Sequence, residues 1–113
     1  MITIYHNPRC GKSRECLAFL ELQNHKFEII KYLDNPLTFN ELSEIIKKLK
    51  IKPIELIRSK ESIWINNYKG KKLSDKEIIQ TIVDHPILME RPIAVNGSKA
   101  VIARPFDRLK QII

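Results

Sequence analysis

The sequence is short of cysteine, glycine and aromatic residues. Two cysteines, three glycines and an aromatic share of 7% are spread over 113 residues. Two thiols, Cys10 and Cys16, cannot staple a disulfide-dependent secreted scaffold, and three glycines exclude a collagen-like fibre. With so few aromatics, isoleucine and leucine must fill the core. No run of about 18 apolar residues occurs, so no membrane-spanning helix is expected. Met1 to His6 alternates like a strand and lacks the apolar stretch of a secretion signal. There is no Cys-x-x-Cys and no histidine pair, so neither zinc nor another bound cofactor is expected. These absences predict one cytoplasmic domain over residues 1–113 with reduced thiols.

Acid is scarce relative to base. Lys and Arg number 20 against 13 Asp and Glu, a net charge of +7. Such a surplus favours an anionic partner: nucleic acid, an acidic protein or a small oxyanion. Lysines such as Lys47, Lys48, Lys71 and Lys72 are scattered and accompany no base-reading or aromatic-rich motif. They read as a solvated face rather than a nucleic-acid surface.

The apolar pattern predicts the order β-α-β, a helical block, then β-β-α. Met1–His6 alternates as a strand, and Asn7-Pro8 breaks it. A helix is expected from Gly11 to about Asn24, then a strand over Phe27–Tyr32; strand, helix, strand favours a parallel pair. Thr38 with Glu41, and Ser74 with Glu77, carry the capping-box spacing. Leu42, Ile45, Ile46 and Leu49 then fall on one helical face, as do Ile78, Ile79, Ile82 and Val83. A short helix is expected near Pro53. The block from about 37 to 85 is thus a helical insertion. Pro92–Val95 and Ala100–Ala103 read as strands joined by Asn96-Gly97, a hairpin turn signal. Pro105, Phe106, Leu109, Ile112 and Ile113 predict a last amphipathic helix.

Chemistry concentrates where the first strand meets the first helix, at Cys10-Gly11-Lys12-Ser13. A thiol at a helix amino end faces unpaired N–H groups and the positive end of the helix dipole, and both favour thiolate. Arg9, Lys12 and Arg14 push the same way, and Ser13 can donate a hydrogen bond to the sulfur. Cys16 lies six helical residues on, about 9 Å away, beyond the roughly 7 Å that a disulfide spans. It reads as a core residue. Three look-alike motifs fail on spacing. A phosphate loop needs glycine where His6 stands, a cysteine-phosphatase signature needs arginine where Cys16 stands, and a dithiol motif needs cysteine where Ser13 stands.

Tyr5-His6-Asn7-Pro8-Arg9-Cys10-Gly11-Lys12-Ser13-Arg14, then His85-Pro86-Ile87-Leu88-Met89-Glu90-Arg91-Pro92-Ile93-Ala94-Val95, and finally Arg104-Pro105 resemble the glutaredoxin-dependent arsenate reductases of bacteria. Pro8-Arg9-Cys10 with Met89-Glu90-Arg91-Pro92 looks closest to a shorter branch of that family. The resemblance implies an α/β thioredoxin-like fold with a mixed four-stranded sheet, and a cis peptide before Pro92 facing Cys10. It implies that Cys10 attacks arsenate while Arg58, Arg91 and Arg104 hold the oxyanion, with His6, Ser13 and Pro92 in support. Arginine suits that task because its planar fork binds oxyanions in pairs of hydrogen bonds and stays charged. It further implies glutathione as co-substrate and glutaredoxin as partner in reducing arsenate to arsenite. Two other functions fit parts of the pattern. One is a monothiol reductase of other substrates. The other is a redox-linked regulator that binds RNA polymerase, against which Ser13 argues because such sensors use Cys-x-x-Cys.

Overall fold

The structure, a computed structural model, describes all 113 residues. The chain forms two compact units. The first comprises Met1–Asn35 with Arg91–Ile113, and the second Pro36–Glu90.

The first unit contains β1 (Ile2–Tyr5), α1 (Gly11–Leu22), β2 (Phe27–Ile30), β3 (Ile93–Asn96), β4 (Lys99–Ile102) and a closing 3-10 helix, Phe106–Gln111. Its sheet has the order β2-β1-β3-β4. β1 runs parallel to β2, with Ile4 opposite Ile29, and antiparallel to β3, with Ile4 opposite Ala94. This is the expected mixed four-stranded sheet. Period-two alternation explains which side is dry: Ile2 and Ile4 are buried, while Thr3 and Tyr5 are only partly covered. α1 lays Cys16 and Leu20 on the same core as Ile4, Ala94, Val101 and Leu109. Leu20 has no exposed surface, so truncating it to alanine would cost about 2–5 kcal/mol.

α1 stops because its last turn is closed by a left-handed residue. Asn24 has φ 57, its N–H bonds the Glu21 carbonyl, and the His25 N–H bonds the Leu20 carbonyl. That pair of bonds is a Schellman ending, with asparagine in the place glycine usually takes.

Two local expectations shift. The β3–β4 register pairs Asn96 with Lys99, so Gly97-Ser98, not Asn96-Gly97, forms the loop. Gly97 has φ 62 and Ser98 is not in the positive-φ region, the sign pattern of a type II′ turn. The last helix is 3-10 rather than α. Phe106, Leu109 and Ile112 recur every three residues, the 3-10 period, and the Arg108 and Ile112 N–H groups bond carbonyls three residues back.

The second unit holds α2 (Phe39–Leu49), a 3-10 turn at Pro53–Leu56, α3 (Ser62–Asn67), α4 (Asp75–Asp84) and a 3-10 turn at Pro86–Leu88. Both predicted capping boxes form. Thr38 Oγ1 accepts from the Glu41 N–H at 3.2 Å and the Glu41 carboxylate accepts from the Thr38 N–H at 3.1 Å. Ser74 and Glu77 repeat the exchange at 3.2 and 3.0 Å. α2 packs on α4, burying Leu42, Ile45 and Ile46 on one and Ile78, Ile79 and Ile82 on the other. Two backbone bonds tie Leu56-Ile57-Arg58 to Leu88-Met89-Glu90: Arg58 N–H to Leu88 O at 2.7 Å, and Glu90 N–H to Leu56 O at 2.8 Å. α3 was not expected from the sequence. No helix is long and apolar enough to cross a membrane.

Candidate active site

The turn that presents Cys10 is built by Asn7. Its side-chain oxygen accepts from the Arg9 N–H at 3.0 Å, and its carbonyl accepts from the Cys10 N–H at 3.0 Å. Such side-chain bonding to the backbone two residues on is why asparagine starts turns. Cys10 is then the N-cap of α1, with extended backbone at φ −95 and ψ 121. Its carbonyl accepts the first helical bond, from the Arg14 N–H at 3.1 Å. α1 carries no acid in its first turn, so nothing there opposes an anion at its amino end.

The half-buried Cys10 thiol is held below the ordinary range. Burial is the largest influence and works against ionisation; hydrogen bonding from Arg91, then from the N–H groups of Ser13 and Lys12, and the Arg91 charge together outweigh it. The expected donation from Ser13 comes from its amide. The side-chain charges of Arg9, Lys12 and Arg14, expected to help, are not among these influences. Ser13 is fully buried, and its Oγ accepts from the Asn7 N–H at 3.4 Å, which links the turn to the first helical turn.

Arg91 enters from the start of β3. The Arg91–Pro92 peptide is cis, as the family resemblance implied, and Pro92 is buried. Nε and Nη1 of Arg91 are buried and have no hydrogen-bond partner. Unmade donors on a buried guanidinium are costly, and an oxyanion beside the thiol would satisfy them. Arg104 donates from Nη1 to the Arg91 carbonyl at 3.4 Å, so both arginines belong to the same corner of the first unit. Arg104–Pro105 is also cis, which the sequence reading did not foresee.

Of the remaining candidates, His6 is 5% exposed, and its Nδ1 has no partner. Burial, then Lys31 and Arg14, push its pKa down, so it is neutral at pH 7. Cys16 is fully buried and free, with its thiol pushed up to about 12 by burial; it is the core residue expected. Arg58 belongs to the second unit, where its Nη1 pairs with the Glu61 carboxylate at 2.6 Å. The sequence reading overlooked Lys31, Leu33 and Asp34, which line a pocket with His6, Pro8 and Arg9. They carry no motif, and only the parallel pairing of β1 with β2 brings them beside the cysteine loop.

A mixed four-stranded sheet, a thiolate-favouring cysteine at the first helix's amino end and an Arg–cis-Pro ahead of β3 define a thioredoxin-like protein centred on one cysteine. Residues 5–112 match the ArsC family, and the chain belongs to it. An arsenate reductase of Haemophilus influenzae is 40% identical over 114 residues, covering 99% of this chain and 98% of that protein. The Escherichia coli K12 protein YfgD is also 40% identical over 114 residues, covering 99% and 96%. Among solved structures, an arsenate reductase from Vibrio cholerae superposes with a TM-score of 0.94 at 36% identity, covering 99% of this chain and 97% of that one.

Proposed function

We propose that this protein reduces arsenate to arsenite, with Cys10 as the nucleophile. The observation that carries the reading is the pairing of a lowered Cys10 thiol with a buried Arg91 guanidinium whose Nε and Nη1 donors are unmet. The relatives named arsenate reductase support the substrate.

The chemistry follows from those groups. The Cys10 thiolate attacks arsenic(V); a sulfur–arsenic bond forms, and one arsenate oxygen leaves as water after taking up protons. Arg91 and Arg104 neutralise the oxyanion, which a bare thiolate would repel, and stabilise the charge that gathers on it during displacement. Arg58 is assigned to the same oxyanion by the family motif alone. Glutathione thiolate next attacks the Cys10 sulfur. The sulfur–arsenic bond breaks, its electron pair stays on arsenic as arsenite, and a Cys10–glutathione disulfide remains. Glutaredoxin thiolate then takes the glutathionyl group and releases Cys10 as thiolate. An outside thiol is needed because Cys16 is buried and protonated and position 13 is serine.

The test is arsenate-dependent NADPH oxidation coupled through glutathione, glutaredoxin and glutathione reductase. Turnover should be present with the wild type and absent with Cys10→Ser. Wild-type turnover no higher than an enzyme-free control would dispose of the proposal.

A further inference from the structure

The first unit has a second recognition feature beside the cysteine loop. A pocket of about 360 Å³ lies against the Asn7-Pro8 turn, with His6 and Leu33 in its lining and Arg9, Lys31 and Asp34 supplying charge. That volume falls within the roughly 300–1,000 Å³ typical of small-molecule sites. Arg9, Lys31 and Asp34 are exposed, and none is used in an ion pair. Ion pairs lie elsewhere, at Lys12–Glu15, Lys47–Glu44 and Arg58–Glu61.

We propose that this pocket binds the charged backbone of a peptide thiol of the glutathione class, with Arg9 and Lys31 taking carboxylates and Asp34 the α-ammonium. Two cations and one anion around a partly apolar floor match a zwitterionic peptide better than an inorganic oxyanion, which has no use for Asp34 and would not fill the volume. The first unit also carries ten Lys and Arg against five Asp and Glu, a field that attracts a net-negative tripeptide. Reach is satisfied, since Arg9 adjoins Cys10 in the chain and an extended tripeptide spans about 10 Å. The inference rests on glutathione being the co-substrate and adds where its charged ends are held.

The experiment uses thiol–disulfide exchange without arsenate, followed on the full chain by intact mass. Cys10 thiolate attacks oxidised glutathione, forms the Cys10–glutathione disulfide and releases one glutathione thiolate. The reference reaction uses 2-hydroxyethyl disulfide, which has no charge. Arg9→Gln and Lys31→Gln should each slow the glutathione reaction about three- to fivefold and leave the uncharged disulfide's rate unchanged. Neither residue contributes to the lowered Cys10 thiol, so nucleophilicity is held constant. Asp34→Asn should also slow the glutathione reaction. Equal slowing with both disulfides, no slowing with either, or faster glutathione exchange in Asp34→Asn would overturn the pocket assignment. Wild type that discriminates the disulfides yet turns over no arsenate would keep the pocket and remove the proposed activity; intact arsenate turnover with no discrimination would do the reverse.

Discussion

Arg91 lowers the Cys10 thiol both by hydrogen bonding and by its charge, joining the Arg–Pro step ahead of β3 to the residue before α1. Hydrogen bonding from Arg91 is the strongest influence that lowers the thiol, and burial opposes it. Alkylation by iodoacetamide, profiled against pH, should therefore show a Cys10 midpoint below that of the unfolded chain. Arg91→Leu should move it upward. A midpoint unchanged by that substitution would contradict the pairing.

Arg104 touches the Arg91 carbonyl and, like Arg58, is absent from the influences on the thiol. If the proposed function holds, Arg104→Ala should raise KM for arsenate by roughly tenfold or more, the loss of a charge-assisted oxyanion contact. It should not shift the alkylation midpoint. Arg91→Leu alone should change both quantities, and replacement by lysine should restore little, because an ammonium cannot supply the fork.

Cys16, with its thiol pushed up to about 12, should resist iodoacetamide at pH 8 in the folded protein and react once urea unfolds it. Cys16→Ala should keep most arsenate turnover while lowering stability by about 1 kcal/mol. Comparable alkylation of both cysteines in the native protein would be inconsistent with this burial.

His6 is kept neutral by burial, Lys31 and Arg14. Its folded pKa lies below its unfolded value of about 6.5, so the unfolded chain takes up the proton first. Stability is complete above pH 6.5 and falls as pH drops from there toward the folded value. Urea denaturation should show that loss, and His6→Asn should flatten it. The sign would be wrong if wild type gained stability over that window.

Glu77 is lowered by hydrogen bonds from the Ser74 N–H and hydroxyl, against a small opposing effect of burial. Its support of α4 is present above the unfolded carboxyl value and is lost as pH falls through the folded one. Ser74→Ala should cost about 0.5–2 kcal/mol at pH 7. The gap from wild type should narrow at pH 3, as judged by urea midpoints. A gap of constant size would show that the Ser74 hydroxyl gives the Glu77 carboxylate no support.

Much of this was readable because local chemistry and the final packing agree. Thr38 and Ser74 begin helices with their own side chains, and the Ile2/Ile4 alternation already marks the dry side of β1. Cys10 was conspicuous because polar, turn-forming neighbours flank it. α3 is harder to read, because Ile63, Trp64 and Ile65 stand in succession and form no helical stripe. Its helical signal is the single pair Trp64 and Tyr68, four residues apart, whose rings stack at 5.8 Å with Trp64 buried. The last helix is ambiguous in type from its own residues, because Phe106, Leu109 and Ile112 suit a period of three as well as one of 3.6. Lys31 and Asp34 were invisible as site residues, because strand pairing rather than sequence proximity brings them to the cysteine loop.

The strand order also bears on how the molecule is made. β1 lies between β2, which follows it closely, and β3, which is encoded near the other terminus. During synthesis the first half of the sheet must wait on the ribosome with one edge of β1 unpaired, a surface open to wrong pairing. Only when Ile93–Asn96 has emerged can β3 close that edge. The thiol acquires its guanidinium neighbour in the same event.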